Sequence, residues 1–296
     1  MPRVKHAAIS VLLHLRLPFA FFLAPIYLFA LIAAGAEPRK AVEVFIVFHF
    51  LLYPASNAFN SYYDRDEGPI GALAKPPPVT KSLLVTALAL DALALALGFW
   101  VGPILGIAAF VYGAGSKLYS WDKTRLKARP VVGWLATGLG QGAFTFVAMA
   151  ASMRRGGLAT LPPSVWWGAA LESLFLLGVF PLTQVYQHEE DARRGDLTMS
   201  RLLGLRGSFA LAAGFLGAGA FGIAAWFWRF ASLPWAVLFL AAQAPSAAFL
   251  AAWAIRVFRD PRAADFRSAM IMNTLASGFL NLYFVAYLFV NSVGRA

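Results

Sequence analysis

Long apolar runs alternate with short polar ones along the whole chain. The apolar runs fall at roughly 17–36, 42–63, 83–101, 103–121, 131–153, 164–187, 207–229, 233–257 and 268–292. Each is close to the ~20 residues that a bilayer core requires of a helix. The pattern predicts an all-α integral membrane protein with nine transmembrane helices in one membrane-embedded domain over residues 1–296. Only Gly102 and Pro103 separate the third run from the fourth, and merging them gives eight. Ala34-Gly35-Ala36 has the small-residue form of a signal-peptidase site. The run before it is long enough to span and many more follow, so it reads as a retained first helix.

The basic residues set the orientation. With the N-terminus inside, the cytoplasmic segments hold nineteen of the 25 Lys and Arg, and the opposite side holds six. This asymmetry places the N-terminus in the cytoplasm and the C-terminus outside. It also supports the break between the third and fourth helices, because merging them scatters the basic loops onto both faces.

Composition agrees with the pattern. The chain is 60% hydrophobic and 13% charged, far from an ordinary soluble domain. The net charge of +11 follows from cytoplasmic loops and does not call for a nucleic-acid partner. There is no Cys, which excludes disulfides, thiolate nucleophiles and Cys-based metal sites. Together with an N-terminus unlike a transit peptide, this suits a prokaryotic cytoplasmic membrane. The oligomeric state is not legible.

The chemistry concentrates where the second apolar run ends, in NAFNSYYDRDEGPIGALAK (57–75). Asp64, Asp66 and Glu67 fall within four residues of a chain that has only 14 Asp and Glu. Asn57 and Asn60 precede them. Asn60 and Asp64 are four apart and share a face on a helix. Oxygen ligands there suit a hard cation such as Mg²⁺, which is held by one or two carboxylates plus substrate phosphates. A solvated acidic helix end is the alternative reading of the same residues.

The sixth run ends similarly, in QVYQHEEDARRGDLTMSRLLG (184–204). Gln187 and Asp191 repeat the amide-x-x-x-Asp pattern, with Glu189, Glu190 and Asp196 nearby. Four helices separate the copies, so both point the same way. This suggests two four-helix repeats plus a ninth helix. Basic loops after the fourth and eighth runs alternate with the acidic ones. Lys117, Lys123, Arg125 and Lys127 in the first of these are cationic candidates for a diphosphate, beside metal-bound carboxylates. For any single residue the positive-inside rule is the plainer explanation.

At these residues the chain resembles the UbiA superfamily of intramembrane prenyltransferases. The family pattern is N-x-x-x-D-x-x-x-D after the second helix and D-x-x-x-D after the sixth. Tyr119-Ser120, Arg125-Leu126-Lys127, Pro130 and Gly133 resemble its loop after the fourth helix. Gly195-Asp196-Leu197-Thr198 and Leu203-Gly204 resemble the run after its second motif. Two positions depart: Gly68 and Gln187 stand where the pattern has Asp. Asp66 and Glu67 offer replacements for the first, and Glu190 for the second. The acidic count is kept while the positions shift, as in a divergent branch.

The resemblance implies a UbiA-like bundle. It implies Mg²⁺-dependent transfer of an isoprenyl group from an isoprenyl diphosphate to a lipophilic, often aromatic, acceptor in the bilayer. Asn60, Asp64 and Asp191 would be catalytic. Asn60, Asp64, Asp66, Glu67, Glu190 and Asp191 would hold the metal. Asn57, Lys117, Tyr119, Lys123, Arg125, Lys127, Tyr186 and Gln187 would bind substrate. Tyr62, Tyr63, Tyr119 and Tyr186 adjoin the motifs and present ring faces to a developing cation.

Other polar residues inside the runs have plainer readings. Asp91 and Glu172 are costly at membrane depth, and cross-helix pairing or protonation is the structural reading. His188 is a weak signal for a base. Gln141, Thr145, Gln184, Asn273 and Asn281 suit helix-bridging hydrogen bonds more than an acceptor pocket. Gly138, Gly142, Gly214 and Gly217 read as close helix packing. Two rival functions stay open. One is a transporter, against which the acidic clusters lie at one face and not at the midplane. The other is a superfamily member that binds a lipid diphosphate without transferring it.

Overall fold

In the computed structural model, which describes residues 2–293, the chain is a bundle of helices. In order they are α1 (Pro2–His14), α2 (Ala20–Ala34), α3 (Pro38–Asp64), α4 (Lys81–Val101), α5 (Pro103–Ser120), α6 (Pro130–Met153), α7 (Pro163–Leu182), α8 (His188–Arg194), α9 (Met199–Phe230), α10 (Leu233–Arg259) and α11 (Phe266–Val293). Among the described residues, eight spans are long and apolar enough to cross a membrane, and α1 and α2 make one of them. Helix α5 is the ninth long helix. Its 18 residues include Lys117 and a tyrosine at each side of it, Tyr112 and Tyr119, which lower its apolarity. Large side chains point outward from the bundle: Trp100 is 72% exposed and Phe221 70%, as lipid-facing residues are.

Proline starts several of these helices. Pro38, Pro103, Pro130 and Pro163 each open one, where the missing N–H has no intrahelical partner to lose. The predicted break between the third and fourth spans falls at Gly102, followed by Pro103. The hairpin arms meet at two glycines, since a β-carbon on Gly98 would lie 3.0 Å from Gly106 Cα.

Prolines inside helices free carbonyls that other helices claim. Pro25 cannot donate to Phe21 O, and Asn281 Nδ2 of α11 does so at 3.1 Å. Pro181 cannot donate to Leu177 O, and the Trp134 indole of α6 takes it at 2.8 Å. Just past Pro181, α7 stops. A 3-10 turn (Val185–Gln187) leads into the short α8. Gln187 therefore stands ahead of α8 and not on a continuous helical face with Asp191.

Two helices carry π-turns, Ile46–Leu52 in α3 and Gly138–Phe144 in α6. The second is stabilised by Ser173, whose Oγ accepts from the Ala143 N–H at 2.9 Å. Gly142 lets α6 approach α7 there, because a β-carbon would lie 2.7 Å from Ser173 Cα. Gly138 is equally tight against Leu177. Gly214 and Gly217, expected to do the same, have nothing within 4 Å. The contact of α9 with α7 runs through Gly219 and Gly222, against Phe175 and Leu171, on the other side of α9.

The core is aromatic. Phe29 stacks on Phe284 at 5.3 Å and meets Phe146 and Trp226 edge-on. Phe227 and Phe239 extend the cluster. These rings sit toward the helix ends remote from Asp64, so they close the bundle at one end and leave the other to polar loops.

Candidate active site

At the polar end the helices enclose a cavity of about 460 Å³. Its wall carries the apolar side chains Phe22, Leu23, Phe144, Leu176, Val179 and Phe180, with Tyr112, Gln141, Asn273 and Ser277 among them. Val111 and Gly115 of α5 line it and are also exposed, so it opens sideways past α5. Its mouth is formed by both acidic segments and the loop after α5.

Asp64 is the last residue of α3, where Arg65 turns left-handed (φ 51°) and ends the helix. One turn back, Asn60 donates Nδ2 to Ser120 Oγ at 3.0 Å. Asn57 holds the turn between α1 and α2: its Nδ2 donates to Leu15 O at 3.4 Å, and its carbonyl accepts from Arg16 at 3.3 Å. Asp64 is paired with Lys127 and lies 3.5 Å from Arg125 Nη2. Arg125 spans Asp196 with two bonds, Nε to Oδ1 at 2.8 Å and Nη2 to Oδ2 at 2.7 Å. That fork, with burial opposing it, holds the guanidinium above its ordinary value.

The two acidic segments are tied together. Arg194 Nη1 donates to Asp66 Oδ1 at 2.6 Å, and its Nη2 donates to Glu190 Oε1 at 2.8 Å. Glu190 Oε1 also accepts the Glu67 N–H at 3.0 Å, and Gln187 Nε2 donates to Pro69 O at 3.2 Å. Burial and the Asp64 charge push the Asp66 carboxyl up, while Arg194 and Lys127 oppose this. Asp191 is different. Its Oδ2 accepts only a long bond from Thr198 Oγ1, at 3.3 Å, and no Lys or Arg among the described residues is within ion-pairing distance.

Of the residues expected from sequence, Asn57, Asn60, Asp64 and Asp66 line the cavity from one motif, and Gln187 and Asp191 from the other. Tyr119, Lys127 and Tyr186 also line it. Others lie elsewhere. Glu67 is exposed and joins through its N–H. Glu190 is buried behind the rim. Lys123 reaches over the Trp121 ring at 5.2 Å. Lys117 pairs with Asp91 between α4 and α5 and lies over Phe59 at 5.1 Å. Tyr62 and Tyr63 pack beside Phe59, outside the cavity. His188 shares a hydrogen bond with Ser200 at 2.7 Å. Glu172 is buried in α7, away from the cavity lining.

Arg16, Gln184, Arg194 and Asp196 also line the cavity. Arg16 reads in sequence as one more positive-inside charge, and only the left-handed turn at φ 47° aims it inward. Arg194 carried a usable signal, standing four residues after Glu190 on one helical face. Gln184 Oε1 is buried without a donor among the described residues.

The model of the UbiA prenyltransferase family matches residues 22–285 of the chain. The chain belongs to the UbiA prenyltransferase family. Solved UbiA structures share the fold at low identity. A UbiA homologue from Archaeoglobus fulgidus bound to GPP and Mg²⁺ is 18% identical with a TM-score of 0.66, covering 94% of this chain and 98% of that one. The same homologue bound to DMAPP and Mg²⁺ gives 18% and 0.67 over the same shares. A UbiA homologue from Aeropyrum pernix K1, without ligand, is 15% identical with a TM-score of 0.70, covering 92% and 98%. No protein of curated function matches the chain in sequence.

The UbiA relatives with Mg²⁺ raise the question of whether this chain can hold one. Among the described residues no group of three or more His, Cys, Asp or Glu is arranged as a metal site. Mg²⁺ requires less when phosphates complete its shell. Asp191 has no Lys or Arg among the described residues within ion-pairing distance, Asp64 lines the cavity with Lys127 paired to its Oδ1, and the Asn60 amide stands one turn away. This all-oxygen set on the cavity fits a hard divalent cation arriving with a diphosphate.

Proposed function

We propose that this protein transfers an isoprenyl group from an isoprenyl diphosphate to a lipophilic acceptor of the aromatic class within the membrane. The observation that carries the reading is the cavity itself. Carboxylates Asp64, Asp66 and Asp191 and cations Arg16, Lys127 and Arg194 line one pocket together with a set of large apolar side chains. A diphosphate matches the mouth, and a hydrocarbon tail matches the wall of Phe22, Leu23, Phe144 and Leu176.

Asp64, Asp191 and Asn60 would hold Mg²⁺, which supplies charge neutralisation to the leaving diphosphate. Lys127 and Arg16 bind phosphate oxygens. The allylic C–O bond breaks, positive charge develops on the prenyl carbon, and the acceptor forms the new bond there and releases a proton. Tyr119 and Tyr186 offer ring faces to that charge, and the apolar wall excludes water from it. The basic-residue asymmetry supports placing the mouth at the cytoplasmic face.

The test is binding of geranylgeranyl diphosphate to purified protein with and without Mg²⁺, followed by turnover with an aromatic acceptor. Tight, metal-dependent binding that is lost in Asp64→Ala and Asp191→Ala supports the reading. Full turnover with both residues replaced together sinks it. The non-transferring alternative is favoured by one observation, that Lys127 and Arg194 already sit on Asp64 and Asp66. Metal-dependent binding with no product from any acceptor would establish that alternative.

A further inference from the structure

The two carboxylates displaced from the family pattern are joined by a cation that belongs to the chain. Arg194 lies between Asp66 and Glu190, with one guanidinium nitrogen on each at 2.6 and 2.8 Å. The three side chains come from both acidic segments, and all are largely withdrawn from solvent, at 7%, 11% and 21% side-chain exposure for Asp66, Glu190 and Arg194. Both Arg194 and Asp66 line the cavity. Lys127 also acts on the Asp66 charge. A metal bound by Asp66 must therefore displace a short ion pair whose guanidinium is also anchored on Glu190. A guanidinium is an effective substitute, because its planar fork binds carboxylate and phosphate alike and keeps its charge at any physiological pH. On the opposite side of the mouth Lys127 pairs with Asp64, while Asp191 faces the same cavity with no Lys or Arg among the described residues within ion-pairing distance.

We propose that Arg194 stands in for a metal ion on the Asp66–Glu190 side, so that the chain binds a single divalent cation with its diphosphate, from the Asp64–Asp191 side. Arg194 then meets a phosphate oxygen directly with the part of its fork that faces the cavity. This deepens the prenyl-diphosphate reading above and rests on it.

The experiment counts metal ions. Purified full-length protein is saturated with geranyl thiolodiphosphate, which resists cleavage, and Mn²⁺ bound per chain is measured by equilibrium dialysis. One ion is expected. In Arg194→Gln the freed carboxylates take a second ion, and affinity for the analogue at limiting Mn²⁺ falls about tenfold. In Asp66→Asn the count stays at one. That variant removes a negative charge without leaving a carboxylate unpaired, so it serves if Arg194→Gln does not fold. Two ions in the wild type overturn the proposal, as does an unchanged count in folded Arg194→Gln or a lost ion in Asp66→Asn. Failure of the analogue to bind at all is a different result, since it removes the prenyl-diphosphate reading and this inference with it.

Discussion

The carboxylate of Glu190 fills the space that a side chain at Gly68 would occupy. A β-carbon on Gly68 would lie 2.6 Å from Glu190 Oε2, closer than real β-carbons come to anything. The absence of a side chain at 68 and the presence of a carboxylate at 190 are thus one structural feature. Gly68→Asp alone is expected to expel Glu190, break its bonds to the Glu67 N–H and Arg194, and destabilise the protein by about 1–3 kcal/mol. Gly68→Asp combined with Glu190→Ala should recover much of that loss, with a coupling energy of roughly 1 kcal/mol or more. Thermal unfolding in detergent of the two single variants and the double measures it. Additive effects would mean that the two positions are independent.

Lys117 and Asp91 pair between α4 and α5, with about a fifth of each side chain exposed. Removing one partner leaves a charge at membrane depth, so Lys117→Met should cost about 1–2 kcal/mol after allowance for that exposure. Lys117→Met with Asp91→Leu replaces both and should be neutral or stabilising. Affinity for an isoprenyl diphosphate should be unchanged in the double variant, because neither side chain lines the cavity. A weakened diphosphate affinity there would return Lys117 to the phosphate-binding set.

These pairs show what the sequence carries and what it does not. Runs of about 20 apolar residues are a direct consequence of bilayer thickness, so the bundle was legible, down to the break at Gly102. Asn60 and Asp64 were legible as a pair because α-helical spacing fixes their common face. Gln187 and Asp191 were not on one helix, because Pro181 ends α7 first and Trp134 takes up the freed carbonyl. The spacing of Arg194 from Glu190 and the Arg125-Leu126-Lys127 segment mark these two cations locally, but not the carboxylates that they reach across the fold. Their partners, Asp66 and Asp196, are 128 and 71 residues away along the chain, and only the fold brings them together. Gly214 and Gly217 have the spacing of a packing face, yet α9 turns its neighbouring glycines to α7.

Arg125 should not tolerate lysine. Its two parallel bonds to Asp196 require a planar fork, and a single ammonium can make only one of them. Loss of a charge-assisted bond to a buried carboxylate costs about 1.5–3 kcal/mol. Asp196 also anchors the loop that leads from α8 to α9, while Lys127 lies two residues beyond Arg125. Arg125→Lys is therefore expected to lower the unfolding midpoint and to raise KM for the diphosphate more than it lowers kcat. An equal loss in stability with KM unchanged would confine Arg125 to a structural role.

Asp64 and Lys127 form the pair on which binding and stability can be separated. The Asp64 side chain is 6% exposed and that of Lys127 12%; Lys127 depends on Asp64 for charge balance, and Asp64 depends on Lys127 and, at 3.5 Å, on Arg125. Asp64→Asn leaves an unpaired ammonium, Lys127→Met leaves a carboxylate with only Arg125 Nη2 at 3.5 Å, and each should cost about 3 kcal/mol of stability. Each should also lower Mg²⁺-dependent turnover by at least about 100-fold, the usual scale for losing one group that stabilises developing charge. The double variant Asp64→Asn with Lys127→Met buries no lone charge and should regain the unfolding midpoint of the parent. If the pair acts on metal and diphosphate, turnover stays lost in that double variant, and added Mg²⁺ does not restore it. If stability and turnover return together, the pair only braces the end of α3, and the metal must be held without Asp64.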